Sequence, residues 1–167
     1  MPDKQTIEKA RADKRAGKSP STQAGEFVRA EIDKIRKGEH GARNTKQAIA
    51  IGLSEARRAG VDLPPPKKGR TSARTRKSAQ YAYAAGQGKR KTQRRPRVAR
   101  AVMNVLKHEP RSTASRAALS RQGREAASRR SAASRSAAAR KAARTKGVAG
   151  RSAAAKKAAR TRARRRG

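Results

Sequence analysis

The sequence predicts an all-α protein: a small helical hairpin, a further helix, and a basic tail that is conditionally helical or disordered. Three observations carry this reading. Apolar residues recur at i, i+4 and i+7 in three stretches of the N-terminal two thirds, each closed by Gly or Pro. There are only three aromatic residues (Phe27, Tyr81 and Tyr83), and the large aliphatics gather in two patches, so one large core is not available. From Ser112 onward the chain is almost wholly Ala, Ser, Arg and Lys, with Leu119 and Val148 the only larger apolar residues.

Residues 1–20 read as a polar N-terminal helix or arm. Asp3 is placed to cap a helix over Lys4 to Ala16, with Gly17 as its stop. Residues 21–63 form the hairpin. Its first helix starts at Ser21 or Thr22 and runs to Lys37, with Val28, Ile32 and Ile35 on one stripe beside Phe27 and Gly38 as the stop. After the loop GEHGAR, Asn44 or Thr45 opens the second helix. Ile49, Leu53 and Ala56 repeat the spacing there, Gly60 closes the run, and Asn44 with Gln47 resembles a capping box. A hairpin of this size is marginal alone, so its core needs completion by a partner, a second copy or the second apolar patch.

Residues 64–95 read as a Pro/Lys/Arg-rich linker that begins with three consecutive prolines and holds a candidate helix at SAQYAYAA. Residues 96–110 form a short amphipathic helix: Pro96 suits its first turn, Val98, Val102 and Val105 make a stripe, and Glu109 and Pro110 end it. Residues 111–167 are the basic tail. Within it RSAAARKAARTKG (135–147) is followed at 151 by RSAAAKKAARTRARRRG, a near repeat.

Charge narrows the class of partner. Lys plus Arg number 47 and Asp plus Glu 11, a formal net charge of +36. Residues 1–62 carry +5 of this and residues 63–167 carry +31. Self-repulsion of that size opposes compaction unless a polyanion supplies counter-charge, and nucleic acid is the expected one, duplex DNA first. Cysteine is absent, which removes disulfides, thiolate metal sites and cysteine nucleophiles. MPDKQTIEKARADKR has no apolar h-region and no run approaches a membrane span, so neither a membrane nor a secretory route is expected. His40 and His108 read as solvated, and Glu26, Glu31 and Glu55 as surface partners of Lys and Arg, so no catalytic residue, metal ligand, cofactor or small-molecule substrate is expected.

Ala and Arg favour helix in the tail, while like charges at i, i+3 and i+4 oppose it. Helix is therefore expected once phosphates remove the repulsion. Arg135, Arg140, Lys141, Arg144, Arg151, Lys156, Lys157 and Arg160 are the expected phosphate contacts, with Arg57 and Arg58 as further candidates. Duplex DNA carries about one charge per 1.7 Å, so the net charge matches that of roughly 18 base pairs. Asn44, Lys46 and Gln47 would be the base-reading residues of a helix-turn-helix, against a plainer reading as cap and packing residues. Tyr81 and Tyr83 are the available stacking platforms for a single strand or RNA. Ser112, Ser115, Ser120, Ser128, Ser131, Ser134, Ser136 and Ser152 mostly adjoin Arg, where phosphorylation would subtract charge.

The stretch EFVRAEIDKIRKGEHGARNTKQAIAIGLSEARRAGV, with LPPPKKG and the later Ala/Arg/Ser-rich region, resembles small basic bacterial proteins grouped as a conserved domain of unknown function and often described as DNA-binding. TKQAIAIGLSEAR is its specific core. The tail is also similar in composition to linker-histone arms. The resemblance implies a bacterial source and no reaction. Together these readings give the expectation of a nucleoid-associated, histone-like protein of the cytoplasm that binds and compacts DNA without sequence preference. RNA or ribosome association, or a hairpin that binds protein or a second copy and is anchored by the tail, are the alternatives.

Overall fold

The computed structural model describes residues 3–91 and 95–164, and these are all-α: seven helices and one 3₁₀ turn, with no strand among the described residues. They are α1 (Lys4–Arg15), α2 (Pro20–Lys37), α3 (Thr45–Arg58), α4 (Ala73–Gly86), α5 (Pro96–His108), the 3₁₀ turn Arg111–Ala114, α6 (Arg116–Ser128) and α7 (Ala132–Ala163). The chain divides into two compact units, Met1–Gln122 and Gly123–Gly167.

Local chemistry accounts for the ends of the first helices. The Asp3 carboxylate accepts from the Gln5 amide, and Gly17, Gly38 and Gly60 follow α1, α2 and α3 with positive φ. Helix α2 starts earlier than the hydroxyl pattern suggests, because Pro20 takes its first position, where no amide is needed. At α3 the Asn44 side chain accepts from the Gln47 amide at 2.9 Å, as a capping box requires. The reciprocal bond reaches one residue further back, from the Arg43 amide to Gln47 Oε1 at 2.8 Å.

Helices α2 and α3 form the expected hairpin, but α3 turns a different face inward. Thr45, Ala48, Gly52 and Ala56 are buried, while Ile49 and Leu53 are only half-buried. The reason is backbone proximity: a Cβ at Gly52 would lie 2.7 Å from Val28 Cα, so the helices cross where one has no side chain. On α2, Ala24, Phe27, Ile32 and Ile35 are buried. Burial of Phe27 and of Ile35 stabilises the unit by about 1.5–3 kcal/mol each.

Two clusters make up the core. One joins Ala10 of α1 with Ala24, Phe27, Ala56 and Val61, and Ile7, Leu53 and Leu63 pack against it. The other joins Ile32, Ile35, Ala42, Ala48 and Ala114, flanked by Val28 and Leu119. This second cluster shows how the hairpin is completed within its own chain. Leu106 is buried, its carbonyl accepts from the Gly41 amide at 2.7 Å, and the Pro110 carbonyl accepts from the Ala42 amide at 3.3 Å. Thr45 Oγ1 donates to the Thr113 carbonyl and Arg36 Nε to that of Ala114. The 3₁₀ turn is thereby held across α2 and α3. The valine stripe of α5 does not take this role: Val98, Val102, Met103 and Val105 are exposed, and Leu106 is the buried residue of that helix.

Helix α4 is longer than SAQYAYAA. Ser72 caps it by accepting from the Thr75 amide, and Ala79 and Ala82 are buried. It packs on α3, and Tyr83 donates to Asp62 Oδ1 at 2.6 Å.

Helix α7 contains no buried residue. Ser131 caps it by accepting from the Ser134 amide at 3.2 Å, and Gly147 interrupts it with φ 66° and ψ 178°. Two helical stretches therefore follow one another, one for each sequence repeat.

Candidate nucleic-acid interface

The basic residues of α7 are arranged by helical geometry and the absence of any competing acid. The last acidic residue in the sequence is Glu125, so residues 126–167 contain no Asp or Glu side chain to pair with. Arg135, Arg140, Lys141, Arg144 and Lys146 belong to the first repeat; Arg151, Lys156, Lys157, Arg160 and Arg162 occupy the same places in the second. All ten are exposed. At 100° per residue, Arg140, Lys141 and Arg144 span about 100° of one side of the helix, and Arg135 and Lys146 lie roughly opposite. The second repeat has the same distribution.

Hydrogen bonding follows the repeat as well. Thr145 Oγ1 donates to the Lys141 carbonyl and Thr161 Oγ1 to that of Lys157, each at 3.0 Å. Arg135 donates to the Arg130 carbonyl at 2.7 Å, which draws it toward the helix start, and Arg151 Nε donates to the Gly147 carbonyl at 3.2 Å. A surface of this kind attracts anions through its charge.

The other two candidate contacts part company. Arg58 is exposed. Arg57 is 8% exposed and points inward: Nε donates to the Leu63 carbonyl at 3.1 Å, and the terminal nitrogens donate to those of Leu53 and Pro64 at 3.4 Å. It fastens the start of the Pro-rich segment to α3, and burial lowers its pKa. Its spacing explains the placement, since residue 57 lies beside Ala56 and one turn from Leu53. The helix-turn-helix candidates Asn44 and Gln47 spend their side chains on the α3 cap.

Two residues that look solvated in the sequence are buried together. Glu31 is 1% exposed and His40 is 7% exposed. His40 Nε2 lies 3.6 Å from Glu31 Oε1, too far for a hydrogen bond, and His40 Nδ1 lies 3.0 Å from the Gly41 carbonyl oxygen. Glu31 Oε1 has no hydrogen-bond partner in the structure. The sequence signal for Glu31 was its place between Phe27 and Ile35 at four-residue spacing, which puts it on the core face of α2. His40 is covered because Gly38 turns the chain back over that face. Glu55, in contrast, is half-buried, with Oε2 3.9 Å from Lys34 Nζ.

Burial raises the Glu31 pKa above its ordinary 4.5; His40 and Lys34 oppose this shift, and Glu55 and Glu39 add to it. The folded state therefore holds this proton to a higher pH than the unfolded chain does. Its contribution to stability is complete below pH 4.5 and is lost as pH rises through the folded pKa. Glu31→Gln is expected to stabilise the protein near pH 7 by about 1–2 kcal/mol, because a neutral amide avoids the desolvation cost of a buried carboxylate. That advantage should fade on acidification, which urea unfolding of both proteins at pH 7 and pH 4 would measure. A variant less stable than the parent at pH 7 would contradict the assignment.

The aromatic residues are engaged inside the first unit. Arg90 stands over the Tyr81 ring with its guanidinium carbon 4.6 Å from the centroid, and Tyr83 is held by Asp62, whose hydrogen bond raises the phenol pKa. His108 is exposed, with Nδ1 2.7 Å from the Asn104 carbonyl oxygen. Among the described residues no group of three or more His, Asp or Glu is placed to hold a metal ion, and no helix is long and apolar enough to cross a membrane.

Fold and surface together define a small all-α domain that carries a polybasic helical extension. Residues 11–68 match a family of unknown function (DUF6496), which agrees with the resemblance to a conserved domain of unknown function. The matched segment begins within α1, spans α2 and α3, and ends in the Pro-rich stretch, so it covers the hairpin and not α7. Searches of curated proteins and of solved structures found no match to the chain.

Proposed function

We propose that the protein binds duplex DNA without sequence preference and compacts it in the bacterial nucleoid, in the manner of a histone-like protein, with α7 as the phosphate-binding element. One observation supports this above the others: ten basic side chains are exposed around a helix that buries nothing and faces no acid within its own segment. A helix of this composition has no packing role, and a run of single-sign charge exceeds what solubility requires. The contact set is Arg135, Arg140, Lys141, Arg144, Arg151, Lys156, Lys157 and Arg160, with Arg58 as an outlying contact; Arg57 is omitted because it holds the Pro-rich segment.

Duplex is favoured over single strands by the tyrosines. Stacking platforms need free ring faces and edges, whereas Tyr81 lies under Arg90 and Tyr83 is tied to Asp62. The deep, narrow major groove of A-form RNA is also closed to side chains, while that of B-DNA admits a helix. In this reading the hairpin organises molecules on the DNA, through a second copy, or recruits a further protein.

The test is a titration of the full chain with duplex DNA, single-stranded DNA and structured RNA across salt. With about ten phosphates contacted, log affinity for duplex should fall against log salt with a slope near −9 and differ little between sequences. A shallow slope, or strong preference for one short sequence, would overturn the reading. Tighter binding to RNA than to duplex would replace it with ribosome or RNA association.

A further inference from the structure

Every basic position of the first repeat recurs 16 residues later, from Arg135 and Arg151 through Arg140 and Lys156 to Arg144 and Arg160. In one continuous helix that offset rotates the pattern by about 160°. Arg140, Lys141 and Arg144 would then face almost directly away from Lys156, Lys157 and Arg160. Length raises a second difficulty. The 32 residues of α7 would make a straight rod of about 48 Å. A full turn of duplex occupies only about 34 Å, within which a groove winds once around the axis. No straight rod of that length stays in the groove.

The structure departs from a continuous helix at one residue, between the repeats. Gly147 has φ 66° and ψ 178°, a backbone state that residues with a Cβ rarely adopt. No neighbouring atom lies within 4 Å of where its Cβ would be, so packing does not impose the bend. The sequence places a glycine there and the backbone uses it.

Resting on the duplex-binding reading above, we propose that Gly147 is a joint between two phosphate-binding helices, which engage successive stretches of the groove of a single DNA duplex. Each repeat is short enough to lie within the groove. Its bases on opposite sides of the cylinder then reach the phosphates of both walls. The joint turns the second helix to follow the groove where a straight continuation would leave it. The tail is thus a bivalent ligand for one duplex, and the two contacts reinforce each other through a short connection.

The experiment compares the full-length protein with Gly147→Ala and Gly150→Ala on duplexes of about 10 and about 30 base pairs. Gly147→Ala favours a continuous helix. Gly150→Ala raises helix propensity three residues away and leaves the joint, since its Cβ would meet only the Lys146 side chain at 3.8 Å. On the long duplex the parent and Gly150→Ala should show a salt slope near −9, and Gly147→Ala one near −4.5, as half the contacts are lost. On the short duplex, with room for one repeat, all three should agree. Equal slopes for parent and Gly147→Ala on the long duplex would overturn the joint, as would an equal loss in Gly150→Ala. A parent that binds neither duplex with a steep salt dependence would instead overturn DNA binding itself.

Discussion

Replacing Arg140, Lys141, Arg144, Lys156, Lys157 and Arg160 together by Gln should lower affinity for duplex DNA by on the order of 10³-fold or more at about 0.1 M salt. The magnitude follows from counterion release. Each phosphate neutralised contributes about 0.9 to the slope of log affinity against log salt, so a loss of six contacts from ten moves that slope from near −9 to near −3.6. None of the six is buried, and α7 contains no buried residue whose packing the change would disturb. Helical content should rise or stay level, because Gln is a good helix former and like-charge repulsion is relieved. The companion variant with Lys at the three arginines, Arg140, Arg144 and Arg160, keeps the charge. It should keep the slope, and a large loss there would point to bidentate Arg contacts with defined partners rather than to a diffuse charge effect. Fluorescence anisotropy across a salt series reads both outcomes.

Gly41→Ala should detach the segment from Leu106 to Leu119 from the hairpin and destabilise the first compact unit by about 2–3 kcal/mol. A Cβ at position 41 would lie 1.8 Å from the Glu109 carbonyl oxygen, a backbone atom that cannot swing aside. Relief requires the chain at 109 and 110 to move. The bonds from the Gly41 amide to Leu106 and from the Ala42 amide to Pro110 would then break, at about 1 kcal/mol each. Displacement of Ala114 and Leu119 from the cluster around Ile32 and Ile35 adds the remainder. Urea unfolding would measure the loss, and protease cleavage near Arg111, accelerated in the variant, would locate it. An unchanged midpoint with unchanged cleavage would show that the segment does not brace the hairpin. DNA affinity should change little, since α7 is untouched, and that contrast separates bracing from binding.

These two expectations draw on different kinds of sequence signal. Helices α1, α2, α3 and α5 are legible because their information is local: Asp3 and Asn44 as caps, glycines at 17, 38 and 60 as stops, and apolar spacing between them. The α4 region shows its central residues but not its start, which depends on the Ser72 cap. Which face of each helix turns inward is less accessible. On α3 the stripe of large residues, Ile49 and Leu53, points to one face, yet the helix buries the neighbouring face of Ala48, Gly52 and Ala56. Close approach to Val28 outweighs side-chain size there, and a helix seen in isolation carries no record of its neighbour's backbone.

The same limit explains Glu31, Arg57 and the valines. Acidic and basic residue types suggest solvent, but Glu31 sits on the core face of α2 and is closed in when Gly38 turns His40 over it. Arg57 reads as a phosphate contact until the Pro-rich segment folds back to offer it carbonyl oxygens. Val98, Val102 and Val105 have the clearest amphipathic spacing in the chain, and they remain exposed while small residues from 114 complete the core.

Composition and periodicity were enough to establish the helical class, the two apolar patches and the accumulation of positive charge in residues that cannot build a core, because propensity and charge belong to residues one at a time. The inward face of α3, the burial of Glu31 against His40 and the return of residues 106–119 across the hairpin depended on folding in three dimensions. They arise from contacts between segments as much as 78 residues apart, such as that of Arg36 with Ala114. No local pattern contains such a contact, since its energy exists only when both segments are in place.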